Sequence, residues 1–218
     1  MEFYVDTANI EEIKKASRMK FLDGVTTNPS IIAKEKQEFK SKIREIAEYI
    51  DGKIWCQVTG KTAEEMYDQA IEMNTWGRKM VIKLPMTFEG LAAASELVKK
   101  DVEVNMTLVY SLAHVVLAAK AGVAYISPYV GRADDHSLDG QRFIRESLTT
   151  IQNLKAETKV IGASIRGPQT VVDLANAGVD AITMSYSTFE KMFQSPLTDI
   201  GLNQFRSDWD TYLRTMES

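Results

Sequence analysis

Short apolar runs alternate with amphipathic segments along the whole chain. Between the runs, apolar residues recur at helical spacing while charged residues cover the other faces, as with Ile10 and Ile13 in residues 9–19. The apolar runs have the length and β-branched content of strands. They predict eight strands, at residues 2–6, 23–27, 53–58, 79–85, 103–107, 124–130, 159–164 and 180–185. Strands that alternate with helices in this way predict parallel pairing through βαβ units.

Capping residues support the predicted helices. Asn9 and Thr62 each stand before a helical segment, and Glu65 follows Thr62 by three residues, which completes a capping-box pattern. Pro168 suits the first position of a helix, and Gly178 follows the last turn of the same segment. These signals predict one helix after each strand.

Eight β/α units in 218 residues have the size of a (β/α)8 TIM barrel. We therefore expect an α/β protein with a single barrel domain over residues 1–218. An open doubly wound sheet is the alternative, and a glycine fingerprint after the first strand would favour it. The segment "VDTANI" at that position contains no glycine, so the barrel is preferred.

The C-terminal tail, residues 197–218, extends beyond the eighth unit. Leu202, Phe205, Trp209 and Leu213 fall at near-helical spacing, which predicts an additional amphipathic helix. Its apolar face either packs on its own barrel or contacts a neighbouring subunit.

Composition narrows the class of protein. The chain is 44% hydrophobic and 26% charged, as in ordinary soluble globular proteins, and its net charge of -4 argues against a nucleic-acid partner. The single cysteine, Cys56, excludes an internal disulfide and favours the reducing cytoplasm. The chain shows no signal-peptide pattern and no run of about 20 apolar residues, so we expect no membrane partner.

The ends of the predicted strands are rich in polar residues. In a TIM barrel the carboxyl ends of the strands surround the active site, so these residues would meet around one mouth. They are Asp6, Thr26, Asn28, Gln57, Lys83, Asn105, Thr107, Ser127, Tyr129, Arg132, Ser164 and Arg166.

Lys83 lies within the apolar strand "MVIKLP". Burial disfavours the charged ammonium, so it lowers the lysine pKa and makes a neutral amine accessible near neutral pH. A neutral amine attacks a carbonyl to form an imine, which serves as an electron sink for carbon–carbon bond cleavage. The structural alternative is a lysine that extends its head group to the rim or pairs with a carboxylate.

Three further residues match the needs of that chemistry. Asp6 ends the first strand, where its carboxylate could move a proton to or from a substrate hydroxyl, although "DTAN" is also typical of a helix cap. Gln57 and Tyr129 could hold the water that imine formation and hydrolysis both require. The structural alternatives are a polar core residue for Gln57 and a packed aromatic for Tyr129.

Arg132, Ser164 and Arg166 form a candidate anion pocket. Guanidinium groups offer a fork of donors to phosphate oxygens, and the segment "ASIRGP" lies in the loop after strand seven, where barrels commonly bind phosphate. The alternative is a pair of surface arginines that form ion pairs with neighbouring aspartates.

The sequence gives little support for metal chemistry. His114 lies in a helical segment, and His136 lies in the acidic loop of residues 133–140, which lacks the spacing of a metal site. Cys56 precedes Gln57 on a strand and so faces the opposite side. We expect no metal ligand among them.

Six segments together resemble the small transaldolase family: "VDTAN", "GVTTNPSI", "VIKLPMT", "NMTLVYS", "SPYVGRADD" and "ASIRGPQ", in that order. The resemblance implies an α/β barrel that acts on sugar phosphates without a metal or organic cofactor. It implies Lys83 as the Schiff-base lysine and Asp6 as the proton-transfer group. It assigns the binding of water and donor hydroxyls to Thr26, Asn28, Asn105, Thr107 and Ser127, and the binding of phosphate to Arg132, Ser164 and Arg166.

The family contains transaldolases and fructose-6-phosphate aldolases. Transaldolases typically carry glutamate at the position of Gln57 and phenylalanine at that of Tyr129, so this chain resembles the aldolase branch there. Asn105, Ser127 and Arg166 are more similar to transaldolases. The resemblance also implies a homodecamer of two stacked pentameric rings, in which the C-terminal helix reaches a neighbour.

The function expected from the sequence is a class I aldolase that cleaves fructose 6-phosphate to dihydroxyacetone and glyceraldehyde 3-phosphate. The first alternative is a transaldolase that transfers the dihydroxyacetone unit between sugar phosphates, or an enzyme acting on a sugar with another anion, such as a sulfonate. An alternative of a different class is a non-catalytic barrel that binds sugar phosphates.

Overall fold

The computed structural model describes residues 1–136 and 139–216. Its centre is a closed barrel of eight parallel strands in sequential order, in which β1 pairs with both β2 and β8. The strands are β1 (Glu2–Asp6), β2 (Gly24–Thr26), β3 (Lys53–Gln57), β4 (Met80–Pro85), β5 (Val104–Val109), β6 (Tyr125–Pro128), β7 (Lys159–Ile165) and β8 (Ala181–Met184). The predicted (β/α)8 TIM barrel is confirmed, and the open doubly wound sheet is excluded.

Helices surround the barrel and cover the outward faces of the strands. They are α1 (Ile10–Ser17), α2 (Pro29–Glu35), α3 (Phe39–Ala47), α4 (Ala63–Met73), α5 (Phe88–Val98), α6 (Leu112–Lys120), α7 (Val130–Asp135), α8 (Gly140–Leu154), α9 (Pro168–Ala177), α10 (Tyr186–Lys191) and α11 (Pro196–Met216). The predicted caps are present: the Asn9 side chain accepts from two amides of α1, and Thr62 and Glu65 form a complete capping box. Two helices, rather than the expected one, follow each of β2 and β6.

The predicted strand over residues 124–130 is too long. β6 ends at Pro128, Tyr129 forms only an isolated bridge with Ala163, and Val130 already belongs to α7. The cause is the close packing of α7 against the end of β7, which Gly131 permits. A Cβ at Gly131 would lie 2.1 Å from the carbonyl oxygen of Ser164, so only glycine fits there.

An aromatic layer fills the amino-terminal half of the barrel. The Trp55 ring packs against Tyr4 and Tyr125, with ring centroids 5.0 and 4.7 Å away, and Val81, Ile161 and Ala181 complete the cluster. Trp55 also lines the cavity above this layer. The layer therefore forms the floor of the cavity at the carboxyl ends of the strands.

A polar network lies at the amino-terminal end of the barrel, beyond the aromatic layer. The Glu2 carboxylate accepts hydrogen bonds from the hydroxyls of Tyr4 and Tyr125 and from the ammonium of Lys159. Lys53 donates to the Tyr125 hydroxyl at 2.8 Å and also pairs with Glu103. This network closes the end of the barrel opposite the mouth.

The predicted C-terminal helix is present as α11, and residues 217–218 lie outside the described part of the chain. α11 has no buried residue; Phe205 is 71% exposed and Trp209 is 60% exposed. Its apolar side chains therefore do not pack into the core of their own barrel. No helix among the described residues is long and apolar enough to cross a membrane.

Candidate active site

A cavity of about 120 Å³ opens at the carboxyl ends of the strands. Nine of the twelve predicted site residues line it, and they come from β1, β2, β4, β5, β6, β7 and the segments just after them. These nine are Asp6, Thr26, Asn28, Lys83, Thr107, Ser127, Tyr129, Arg132 and Ser164.

Lys83 is a buried lysine in the lining of this cavity. Its side chain is 7% exposed, and Nζ donates a hydrogen bond of 2.8 Å to the carbonyl oxygen of Thr27. Burial lowers the pKa of Lys83, while the charges of Asp6 and Cys56 oppose that shift. The lysine head group therefore stays inside the barrel, and the alternative in which it extends to solvent is wrong.

Asp6 is the acidic partner within the same cavity. Its carboxylate accepts a hydrogen bond of 2.7 Å from Thr26 Oγ1, which also lies 2.6 Å from Thr183 Oγ1. Burial raises the pKa of Asp6, against the opposing charge of Lys83 and the Thr26 hydrogen bond. Asn9, not Asp6, caps α1, so the capping interpretation of Asp6 is wrong.

The two pKa shifts are opposite in sign, and each favours the neutral form of its group. Desolvation favours the neutral acid at Asp6 and the neutral amine at Lys83. Both groups therefore approach the protonation states that amine attack on a carbonyl needs, in which one group is a free base and the other holds a proton.

A hydroxyl pair stands on the β5 and β6 side of the cavity. Thr107 Oγ1 and the Tyr129 hydroxyl lie 3.0 Å apart, and burial raises the pKa of Tyr129, which keeps the phenol protonated. Leu108 follows Thr107 with a φ of 61°, at a shift in the register between β5 and β6. The arrangement offers a donor and an acceptor to a water or a substrate hydroxyl.

Two amide side chains stand on the strands that flank Lys83. Gln57 on β3 and Asn105 on β5 pair with Lys83 in the strand register. Ser127 donates a hydrogen bond of 2.9 Å to Asn105 Oδ1, while Asn105 Nδ2 is buried without a partner in the described residues. Asn105 is fully buried and Gln57 is partly exposed, and neither amide is in the lining of the cavity.

The predicted anion residues are divided between two adjoining cavities. Arg132 lines the cavity that contains Lys83 and Asp6, with its guanidinium 5.1 Å from the centre of the Tyr129 ring. Arg166 instead lines a side cavity of about 330 Å³ and pairs with Asp135 at 2.6 Å. Ser164 lines both cavities. The ion-pair alternative for the arginines therefore holds for Arg166 in this structure.

The sequence-based selection missed four residues of the cavity, which are Trp55, Ile161, Ala163 and Thr183. Thr183 lies near the end of β8 and contacts Thr26, and the rule that selected the other strand ends applies to it equally. Trp55 forms the floor, but an apolar side chain inside a strand gives no sign that it touches a cavity. Within residues 1–136 and 139–216, no three histidine, cysteine or acidic side chains are grouped as metal ligands. Residues 137–138 of the acidic loop lie outside that part.

Comparison with known proteins decides the family. The family model described as transaldolase/fructose-6-phosphate aldolase matches residues 3–216. The chain belongs to this family. A relative from Kosmotoga olearia, named probable transaldolase, is 44% identical over 212 residues, which cover 97% of each chain. A probable transaldolase from Aquifex aeolicus is 44% identical over 210 residues, which cover 96% of this chain and 97% of that one.

A solved structure supports the fold alone. Thiamine phosphate pyrophosphorylase from Pyrococcus furiosus superimposes with a TM-score of 0.61 at 15% sequence identity, over 88% of this chain and 93% of that chain. Membership of the transaldolase/fructose-6-phosphate aldolase family makes the chain an enzyme of transaldolase type acting on sugar phosphates. It also argues against the non-catalytic barrel.

Proposed function

We propose that this member of the transaldolase/fructose-6-phosphate aldolase family is a class I aldolase. It cleaves fructose 6-phosphate reversibly to dihydroxyacetone and glyceraldehyde 3-phosphate. The observation that carries the proposal is the buried Lys83 amine in the same cavity as the buried Asp6 carboxyl group. Their opposite shifts in pKa suit an amine nucleophile and a group that exchanges protons.

The reaction begins at the C2 carbonyl of the open-chain sugar. Lys83 Nζ adds to C2 as the free amine. The hydroxyl of the adduct then leaves as water with the proton of neutral Asp6, which gives a protonated imine and the Asp6 carboxylate. That fixed positive charge favours the carboxylate form of Asp6, which then accepts the proton of the C4 hydroxyl. The C3–C4 bond breaks, its electron pair moves into the imine to form an enamine, and glyceraldehyde 3-phosphate leaves. Asp6 then gives this proton to C3 of the enamine. Water adds to the resulting imine and returns a proton to Asp6, which releases dihydroxyacetone and restores the amine.

The remaining predicted residues have supporting roles. Thr107 and Tyr129 place the water that adds to the imine, with Gln57 on the adjacent strand β3. Thr26, Asn28, Asn105 and Ser127 bind or orient the groups around C1 to C4. The phosphate is bound by Arg132, Ser164 and Arg166. On binding, Arg166 leaves its exposed ion pair with Asp135 and contacts the phosphate instead. Such exposed pairs contribute little free energy, so the exchange costs little.

Transaldolase is the second candidate function. The same enamine would attack an aldose phosphate rather than take up a proton and water. The names of the relatives from Kosmotoga olearia and Aquifex aeolicus favour it, whereas the Thr107–Tyr129 hydroxyl pair favours the entry of water. A sulfonated sugar is a variant of either candidate, because guanidinium groups bind other oxyanions as they bind phosphate.

One assay distinguishes the candidates. Fructose 6-phosphate is incubated with and without erythrose 4-phosphate, and free dihydroxyacetone is compared with sedoheptulose 7-phosphate. We expect dihydroxyacetone without any acceptor; turnover that strictly requires the acceptor would assign the enzyme as a transaldolase. Lys83→Met should abolish both products and the adduct that borohydride traps with dihydroxyacetone. A wild-type protein that forms no such adduct would be a sugar-phosphate-binding barrel.

Three further assignments complete the proposal. The chain is one domain over residues 1–218, it acts in the cytoplasm, and it forms a homodecamer. In that assembly the helical extension of residues 197–218 contacts a neighbouring subunit. The exposed apolar side chains of α11 support this assignment, because a lone chain leaves them in water.

A further inference from the structure

Two threonine hydroxyls form a chain that leads to the Asp6 carboxyl group. Thr26 Oγ1 on β2 donates a hydrogen bond of 2.7 Å to Asp6 Oδ1, and Thr183 Oγ1 on β8 lies 2.6 Å from Thr26 Oγ1. The strands β2 and β8 both pair with β1, on which Asp6 lies. Both threonines are buried, and both line the cavity that contains Lys83. The proposed reaction steps give Thr183 no role.

The number of hydrogen atoms fixes the direction of this chain. A threonine hydroxyl carries one hydrogen and can accept two hydrogen bonds. The Asp6 carboxylate has no hydrogen to give, so Thr26 directs its single hydrogen at Asp6 Oδ1. The short contact between Thr26 and Thr183 is then a hydrogen bond only if Thr183 donates. Thr183 thus occupies a lone pair of Thr26 Oγ1 and leaves the hydrogen of Thr26 for Asp6.

The chain leaves the second oxygen of Asp6 for the reaction. Within residues 1–136 and 139–216, the Asp6 side chain accepts no other hydrogen bond, so Oδ2 is the oxygen available to exchange protons with a substrate. The chain has the same direction whether Oδ2 is ionised or protonated, because Oδ1 is an acceptor in both states. The hydrogen bond from Thr26 also lowers the pKa of Asp6, against the larger effect of burial.

The other groups that face Asp6 stand outside this chain. The charged and titratable groups that share a cavity with Asp6 are Lys83, Tyr129, Arg132, Arg166 and Lys191. Among the described residues, none of these groups forms a hydrogen bond with Thr26 or Thr183. A neutral substitution at position 183 therefore leaves these charges in place, and its effect on Asp6 measures the contribution of the hydroxyl chain.

We propose that Thr183 is a positioning residue that aims the Thr26 hydroxyl at Asp6 Oδ1 and so keeps Oδ2 directed to the substrate. Two oxygen atoms approach to 2.6 Å only through a hydrogen bond, whereas a carbon atom packs at about 3.5 Å or more. Thr183→Val therefore pushes the Thr26 hydroxyl away and lets the Thr26 methyl group turn in its place, which removes the hydrogen bond to Asp6. This inference rests on the proposed aldol chemistry at Lys83.

The kinetic test follows the release of glyceraldehyde 3-phosphate from fructose 6-phosphate as a function of pH. Erythrose 4-phosphate is present, so that both candidate functions turn over. For Thr183→Val we expect kcat to fall about five- to tenfold with little change in KM, since the proton-transfer group loses one hydrogen bond. The acid limb of the kcat profile should move to higher pH, because the carboxylate form of Asp6 loses a donor.

Thr183→Ser keeps a hydroxyl at this position and should restore both kcat and the pH profile. An unchanged profile in Thr183→Val would overturn the proposal, and so would a Thr183→Ser enzyme that behaves like Thr183→Val.

Thr158→Val is the matched control. Thr158 is another buried threonine, and its hydroxyl donates a hydrogen bond of 2.7 Å to the carbonyl oxygen of Val123, outside the lining of both cavities. Its substitution should lower Tm comparably to Thr183→Val but leave kcat and the pH profile unchanged. The same change of profile in both variants would show general damage to the barrel and would reject the role of Thr183.

A titration of Asp6 is independent of turnover. Infrared difference spectra follow the carbonyl band of the protonated carboxyl group that Asp6→Asn removes. In Thr183→Val that band should persist to higher pH than in the wild type, and in Thr158→Val it should not. Identical titrations in all three proteins would overturn the proposal. If the wild-type enzyme released no glyceraldehyde 3-phosphate, the proposed function would fail, and the infrared titration alone would decide the role of Thr183.

Discussion

At the scale of single residues, two titratable groups lose water together inside one barrel. Lys83 and Asp6 are oppositely charged in water, and their mutual attraction favours the charged forms of both. Desolvation acts against that attraction and is the larger effect on each group. The Thr27 carbonyl holds the amine in place while leaving the nitrogen lone pair available once the proton has gone.

The pH dependence of imine trapping tests this balance. Because burial lowers the pKa of Lys83, the rate of borohydride trapping with dihydroxyacetone should rise with pH and level off below the ordinary lysine pKa of 10.5. Asp6→Asn removes the charge that opposes the shift, so the midpoint should move to lower pH. A midpoint at or above 10.5, or a shift to higher pH in Asp6→Asn, would contradict the assignment.

Tyr129→Phe tests the role of the hydroxyl pair. Loss of one hydrogen bond to the hydrolytic water should reduce the release of free dihydroxyacetone about five- to tenfold, since such a bond is worth about 1 kcal/mol. Transfer to erythrose 4-phosphate should fall less, because the acceptor replaces the water. Product ratios measured by chromatography check this, with Tyr67→Phe on the outer helix α4 as the control. An equal loss of both products would remove the role in water placement.

The sequence identified most of the cavity residues, because polar side chains at the carboxyl ends of barrel strands meet at one end of the barrel. Lys83 and Asp6 both lie at such strand ends. The sequence could not indicate the Thr27 carbonyl, which is a backbone atom. Nor could it decide between a phosphate ligand and a surface ion pair for Arg166, since that choice depends on the distance to Asp135 across two elements.

At the scale of elements, the proposed phosphate side of the site depends on the contact of α7 with the end of β7. Gly131 brings α7 against the carbonyl of Ser164 and the side chain of Arg166. Ser164 itself has a φ of 61°, at a shift in the register between β7 and β8. Sequence patterns predicted strands and caps well here but missed α7, because "YVG" continues the apolar pattern of β6 and only a tertiary contact ends the strand.

Gly131→Ala should damage phosphate binding selectively. The new Cβ would meet the Ser164 oxygen at 2.1 Å and two side-chain atoms of Arg166 at 2.9 Å, so α7 must move away from β7. We expect KM for glyceraldehyde 3-phosphate to rise about tenfold or more, in line with the loss of a charge-assisted hydrogen bond, and KM for unphosphorylated glyceraldehyde to change little.

Gly201→Ala is the matched control for that substitution. Gly201 lies within α11, and a Cβ there meets nothing within 4 Å. It should leave both KM values unchanged and favour the helix by about 0.5–1 kcal/mol. A similar rise in KM for both aldehydes in Gly131→Ala would show general damage to the barrel rather than loss of the phosphate contact.

At the scale of the whole molecule, the barrel has two ends with different tasks. The carboxyl ends of the strands hold the reactive groups, and the polar network around Glu2 closes the other end. Between them lies the layer of Tyr4, Trp55 and Tyr125. The exposed helix α11 is a third part, which stands outside the core.

Glu2→Gln should lower stability without affecting catalysis. Burial raises the pKa of Glu2, but the hydrogen bonds from Lys159, Tyr4 and Tyr125 outweigh it and hold the pKa below the ordinary 4.5. The stabilisation is therefore complete above pH 4.5 and is lost as the pH falls through the lower folded-state pKa. At neutral pH we expect a loss of about 1 kcal/mol, which lowers Tm by about 2–4 °C.

Calorimetry of Glu2→Gln and wild type between pH 3 and 7 measures this effect, and the difference in Tm should shrink as the pH falls below 4.5. Glu96→Gln removes a solvent-exposed ion pair with Lys99 and should leave Tm unchanged. A drop in kcat for Glu2→Gln, or a Tm difference that grows on acidification, would contradict this account.

Deletion of the residues after Pro196 tests the assembly. We expect light scattering to give a smaller mass for the truncated chain, because α11 offers its apolar side chains to a neighbour. Circular dichroism should retain the barrel signal, since no residue of α11 is buried in its own chain. Phe205→Asp with Trp209→Asp should reproduce the change in mass in the full chain, and an unchanged mass in both would reject the proposed role of α11.

The aromatic floor has a practical consequence for redesigning this enzyme. The floor separates the network around Glu2 from Lys83 and Asp6. Substitutions that raise stability and substitutions that change the substrate can therefore be made in separate halves of the barrel. Stabilising substitutions could therefore be introduced first in the amino-terminal half, and the residues that line the cavity could then be varied. The stability gained in the amino-terminal half of the barrel would offset the destabilisation that most substitutions around the cavity cause.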